Sequence, residues 1–213
     1  EKMVANFGAR ASYGAYNQQI YGLNHSLSFS KYNYLISYKR ETWDGDYPYT
    51  DPYEERIPLE NNHQSSHFAF LKGGMKLDEN QDLNASFTIY NADNGTPGMI
   101  DNPTPNARIR FDNRSYNLNY DHKTVFKDFS LKLQSYFLDN ETKFDDPDGL
   151  VPVHSDHDNY ALGIDAQQAG KLAKSMDISH GYSFRNDQIK STDVGEKRRD
   201  THSAFTTLTY AQE

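Results

Sequence analysis

The sequence predicts an all-β fold, an antiparallel up-and-down meander of about ten strands that forms part of a transmembrane barrel. Three observations predict it. Apolar residues recur at every second position along most of the chain, and helical periodicity is hard to find. The alternating runs are mostly about 9–12 residues long, beyond the five or six usual in globular sheets and right for a tilted strand crossing a bilayer. After the second strand the connections alternate short and long, which gathers the long ones at one end.

The predicted strands run in order over Ala9–Tyr16, Gln19–Phe29, Tyr32–Trp43, Ser66–Leu77, Asp82–Asn91, Arg114–His122, Phe129–Asn140, Asn159–Gln168, Ser175–Asn186 and Thr201–Tyr210. Short turns fall at Ser30-Lys31, Asp78–Gln81, Lys123–Asp128 and Ala169–Lys174. Long loops cover Asp44–Ser65, Ala92–Asn113, Glu141–Asp158 and Asp187–Asp200.

The faces follow from parity. Strand two puts Leu23, Leu27 and Phe29 on one side, and strand three puts Tyr32, Tyr34, Ile36 and Tyr38 there. The switch from odd to even is what a two-residue hairpin requires. The same switch links Tyr116, Leu118 and Tyr120 to Phe129, Leu131, Leu133 and Phe137. Further apolar sets come later, Tyr160, Leu162, Ile164 and Ala166 and then Met176, Ile178, Tyr182 and Phe184. The opposite positions carry Asn117, Asn119, Asp121, Lys132, Gln134, Asp165 and Asp177. Tyrosine near strand ends suits the membrane interface, with the ring in lipid and the hydroxyl among headgroups.

Composition agrees. Only 36% of the 213 residues are apolar, below the roughly 45–50% of soluble domains. Yet 16 Tyr and 12 Phe are far too many aromatics for disorder. The absence of cysteine excludes disulfides, thiolate metal sites and a cysteine nucleophile. The segment EKMVANFGAR has no apolar signal-peptide core. The longest apolar run, Phe68–Leu71, is too short for a membrane helix, which needs about 20 residues. A net charge of −8 argues against nucleic acid as partner. Lys197-Arg198-Arg199, the one basic cluster, is expected in a solvated loop.

These residues resemble the barrel of the TonB-dependent outer-membrane receptors. The start, ARASYGAYNQQIYGLNHSLSFSKYNYLISYKRETWDGD, is similar to the first barrel strands after the plug, with Ser12-Tyr13-Gly14-Ala15-Tyr16 and Asp44-Gly45 as the matching elements. Asn94-Gly95-Thr96-Pro97-Gly98 looks like a Gly-x-Pro-Gly loop of that family. The tracts HSDHDNYALGIDAQQ, DISHGYSFRNDQIKS and HSAFTTLTYAQE look like consecutive mid-barrel strands. The resemblance runs over residues 1–213 and rests on order and spacing. It implies a 22-stranded barrel of which this chain is about ten strands, starting after the plug and stopping near mid-barrel at Ala211-Gln212-Glu213. It also implies an outer-membrane location in a Gram-negative bacterium, contact with lipid, coupling to the TonB complex, and uptake of a scarce chelate such as a ferric siderophore or a corrinoid.

No catalytic constellation is present, so no enzyme activity and no cofactor are expected. Trp43, Tyr47, Tyr49 and Tyr53 decorate the first long loop. They read either as a ligand-stacking surface or as an aromatic girdle packed on itself. Arg108 and Arg110 could face an anionic chelate, or pair with nearby acids. Asp145, Asp146 and Asp148 offer oxygens for calcium, although a hydrated acidic turn is the ordinary reading. His154, Asp156 and His157 suggest a metal or haem contact, against solvated side chains as the ordinary case. Two other function classes compete with uptake: a secreted β-rich carbohydrate-binding module, and a porin or adhesin barrel.

Overall fold

The computed structural model describes residues 3–51, 53–99, 102–149 and 151–211. Ten strands pair in one antiparallel sheet, each with its neighbour in the chain: β1 (Val4–Tyr13), β2 (Gln19–Phe29), β3 (Tyr32–Trp43), β6 (Gln64–Lys76), β7 (Gln81–Gly95), β10 (Arg108–Phe126), β11 (Phe129–Asp146), β12 (Val153–Ala173), β13 (Met176–Ser191) and β14 (Gly195–Tyr210). Two small hairpins stand apart from the sheet: β4 (Pro48–Thr50) with β5 (Arg56–Pro58), and β8 (Gly98–Met99) with β9 (Asn102–Pro103). The predicted meander is therefore present, with no Greek-key crossing in the sheet order.

Pairing register carries the parity argument across the whole sheet. Ile36, Leu71, Phe87, Tyr116, Phe137 and Leu162 are successive cross-strand partners, so they form one row on one face. Phe87 and Tyr116 lie 4.6 Å apart between ring centroids. The other face has a row that never becomes apolar over nine strands. It runs Ser28, Asn33, Gly74, Asn84, Asn119, Gln134, Asp165, Ser183 and Ser203.

Among the described residues nothing covers the apolar face. Ala92, Ala107 and Ala161 are the buried hydrophobic residues among those described, and no large side chain is fully buried. The accessible surface is 14585 Å². A compact folded protein of 24.5 kDa would expose about 10,000 Å². The excess is what a single-layer sheet produces, because each layer normally buries one face against another.

The four turns of one rim are short. Ser30-Lys31 and Lys127-Asp128 each join partners directly, Phe29 with Tyr32 and Phe126 with Phe129, and Ser30 and Lys127 adopt left-handed φ of 51° and 50°. Lys174-Ser175 makes a third two-residue turn between Ala173 and Met176. The fourth, Leu77–Asn80, is held by the Asp78 carboxylate, which accepts the Asn80 backbone N–H at 2.7 Å.

Several predicted boundaries are corrected. The first strand lies earlier, at Val4–Tyr13, because Gly14 donates its N–H to the Gln18 carbonyl and starts the turn. The expected loops Glu141–Asp158 and Asp187–Asp200 are mostly strand, leaving only residues 147–152 and Thr192–Val194. There both faces are polar, so no alternation betrays a strand. The ladder continues because its bonds are backbone bonds, and cross-strand partners such as Lys143 with Asp156 and Asp187 with Arg199 suit each other. Lys197-Arg198-Arg199 accordingly lies in β14, with Arg199 3.0 Å from Asp187. Of the chain end, Gln212 and Glu213 lie outside the described residues.

Candidate functional site

The opposite rim gathers the connections 14–18, 44–63, 96–107, 147–152 and 192–194. Side-chain amides and carboxylates stitch them together. Asn17 donates to Asp44 at 3.0 Å. Asn62 donates to the Gly45 carbonyl at 3.1 Å. Asn106 donates its backbone and side-chain N–H groups to Asp148 at 3.1 and 2.8 Å.

Asn61 is the centre of this network. Its amide lies 2.6 Å from the Thr104 carbonyl, 2.7 Å from that of Ala107 and 3.1 Å from that of Thr96. Two N–H groups thus serve three acceptors of the neighbouring loop. Asn61 reaches them from a left-handed φ of 54°, a conformation asparagine tolerates better than most residues. The approach demands glycine opposite. A Cβ on Gly95 would sit 2.3 Å from the Asn61 carbonyl oxygen.

The stitching brings the two small hairpins side by side and leaves a cleft of about 350 Å³ between them. Tyr49, Ile57 and Leu59 line one wall, and Pro97, Met99 and Pro103 line the other. Glu60 also lines it. A larger hollow of about 510 Å³ lies in the middle of the apolar face, beside Gly73, Phe87 and Leu118. It is part of the face described above and far from the loops.

The predicted aromatic surface divides. Tyr47 packs between Trp43, stacked at 6.4 Å, and Tyr16, edge-on at 6.0 Å. Tyr49 enters the cleft, while Tyr53 stands at the β4–β5 tip, 85% exposed. Only Tyr49 of the four lines the cleft, so the residues do not form one stacking surface. Arg108 and Arg110 share the parity of Tyr116 and Leu118, so they lie on the apolar-face side of the strand extension. Both pair with Asp93, at 3.0 and 3.5 Å, which is the alternative the sequence left open.

The metal candidates also separate. His154 and His157 fall on opposite faces by parity. His154 lies 3.5 Å from Asp145, while His157 bonds Ser191 at 2.8 Å and lies 3.5 Å from Asp193. Asp145, Asp146 and Asp148 diverge into the contacts with His154, the Asp148 N–H and Asn106. Among the described residues one carboxylate group could gather around a cation: Glu141, Asp156 and Asp158. Lys143 already lies against it, paired with Glu141 and 3.7 Å from Asp156. That contact raises the Lys143 pKa, chiefly through the Glu141 hydrogen bond.

Sequence reasoning missed Asn61 and the prolines of the cleft. An asparagine pair beside a histidine reads as ordinary loop polarity. The signal that was present is Gly95 within Asn94-Gly95-Thr96-Pro97-Gly98, a glycine-proline spacing that marks a crowded loop.

No protein-family model matches this sequence, and no curated protein matches it by sequence. Solved structures do match. The copper transporter OprC superposes with a TM-score of 0.72 at 12% identity, over 98% of this chain and 34% of OprC. BauA, the ferric preacinetobactin receptor from Acinetobacter baumannii, gives 0.55 at 10% identity, over 99% of this chain and 41% of BauA. The chain thus spans between a third and two fifths of the length of these proteins. At such identities the likeness is one of fold. Together with the uncovered apolar face, it identifies this chain as a ten-stranded stretch of the wall of a transmembrane β-barrel.

Proposed function

We propose that this chain is part of an outer-membrane uptake receptor of the TonB-dependent type, for a scarce metal chelate such as a ferric siderophore, with a corrinoid as a further candidate. The observation that carries the reading is the sheet itself: one apolar face, one polar face and no second layer. Lipid is the solvent that such a face requires. The polar row through Asn84, Asn119, Gln134 and Asp165 then lines the lumen.

Uptake is favoured over a simple pore by the bonded loops, which make a built surface on the rim opposite the short turns. The two solved proteins described above have names that speak of copper transport and of ferric preacinetobactin, and both cargoes contain metal. Energy would come from the TonB complex through a plug and a TonB box outside these residues. Tyr49 is the aromatic best placed to touch cargo, because it lines the cleft between the hairpins. A secreted carbohydrate-binding module would need to bury the row from Ile36 to Leu162, and nothing in the fold does so.

The test is uptake of radiolabelled ferric siderophores and radiolabelled cobalamin by cells carrying the intact polypeptide as their sole receptor. Uptake that stops on deletion of TonB supports the reading. Replacing Tyr49 by alanine should then weaken cargo binding while surface abundance holds. Uptake that is passive and unsaturable would make the protein a porin instead.

A further inference from the structure

We infer that, among metal chelates, the cleft between the two rim hairpins prefers those that carry a positive charge beside a flat apolar ring, and disfavours anionic cargo. The inference rests on the receptor reading for its outward orientation, and it names the ligand class of that site.

Shape supplies the first argument. Pro97, Pro103 and Met99 face Tyr49, Ile57 and Leu59 across a space of about 350 Å³. Proline and tyrosine offer rigid, flat surfaces that lose little conformational freedom when a ring slides between them. The hairpins are held in place before any ligand arrives. Asn61 ties one loop to three carbonyls of the other, and Gly95 donates its N–H to the His63 carbonyl at 2.8 Å.

Charge supplies the second argument. Residues 44–63 contain six carboxylates, Asp44, Asp46, Asp51, Glu54, Glu55 and Glu60, against the single guanidinium of Arg56. Residues 96–107 contain no Lys, Arg or His. Among the described residues no basic side chain lines the cleft, and Glu60 makes no ion pair. Arg108 and Arg110, the nearest basic residues along the chain after the second hairpin, are held by Asp93 on the outer side of the sheet. A hydrophobic slot at an acidic rim attracts a cation twice, by the field at long range and by the Tyr49 ring face and Glu60 at contact.

The experiment uses two naphthalene probes of matched shape and opposite charge, 2-naphthylmethylammonium and 2-naphthoate. Each is titrated calorimetrically into the intact polypeptide in lipid nanodiscs, with empty nanodiscs as the blank. The cation should bind about tenfold more tightly, the order expected of one charge pair at a half-wet surface. Glu60→Gln should reduce that preference by about threefold or more, leaving the part due to the other loop carboxylates, and Glu79→Gln, on the opposite rim, should leave it intact. Equal or tighter naphthoate binding overturns the inference. So does a preference unchanged by Glu60→Gln, or the absence of binding by both probes. Failure here with TonB-dependent uptake intact removes only the ligand class. Cation binding without energised uptake removes only the receptor reading.

Discussion

At Asn61 a single side chain decides how the rim is built. Its amide serves three carbonyls of the next loop, and its own carbonyl approaches Gly95 so closely that no Cβ fits. Asn61→Ala removes those donors and strands acceptors in a half-buried place, a loss of about 1–3 kcal/mol. Gly95→Ala forces the same two loops apart by contact. Both variants should assemble the barrel normally. Hydrogen exchange should quicken at Gly95, Thr96 and Ala107, whose N–H groups bond within this region. Unchanged protection in both variants would mean the loops are held by the strands alone. The sequence announced little of this. Tyr49 was visible as a candidate because aromatics on loops are recognisable. Asn61 was not, since its role depends on which carbonyls a second loop brings near it. Arg108 and Arg110 were legible as a pair but not as partners of Asp93, because that requires the β7–β10 register.

Among the elements, β2 and β3 were legible to the residue, because tight alternation ends at a two-residue turn on one side and at Asp44 on the other. The later strands outgrow their prediction. β12 has 21 residues, which at about 3.3 Å each reach roughly 70 Å along the strand, against a hydrocarbon layer of about 30 Å. Only the lipid-facing part must alternate apolar with polar. Above it Lys143, Asp156 and Asp158 face water on the outer side, so the pattern that marks a strand is lost while its ladder persists. Leu162 lies in the apolar row beside Phe137, whereas Lys132 and Gln134 belong to the opposite face. Leu162→Arg should destabilise the assembled barrel by about 2–4 kcal/mol near the midplane, and Leu131→Arg on the same face, two residues from the turn-flanking Phe129, should cost less. Lys132→Ala should change little. Folding titrations of the intact polypeptide into vesicles measure both, and equal effects on the two faces would overturn the assignment of lipid and lumen.

For the molecule as a whole, the decisive feature is a sheet one layer thick whose two rims differ. A row of short turns, Ser30-Lys31, Leu77–Asn80, Lys127-Asp128 and Lys174-Ser175, occupies one rim. The bonded loops with their acidic cleft occupy the other. In barrels of the outer membrane short turns face the periplasm and long loops face outside. That rule orients the chain and gives the cleft a direction. A cysteine at Thr50, in the β4–β5 hairpin, should therefore react with a membrane-impermeant maleimide on intact cells. A cysteine at Lys31 should react only after the outer membrane is opened. These 213 residues contain no cysteine, so they add no labelling background of their own. Labelling of Lys31→Cys on intact cells, with Thr50→Cys protected, would turn the barrel over. The cleft would then open to the periplasm, where it could not meet external cargo, and the uptake reading would fail even though the fold stood. Labelling in the expected order leaves the fold, the orientation and the cleft pointing at the same medium. The chemistry of Glu60 and Tyr49 then decides which solutes from that medium are retained.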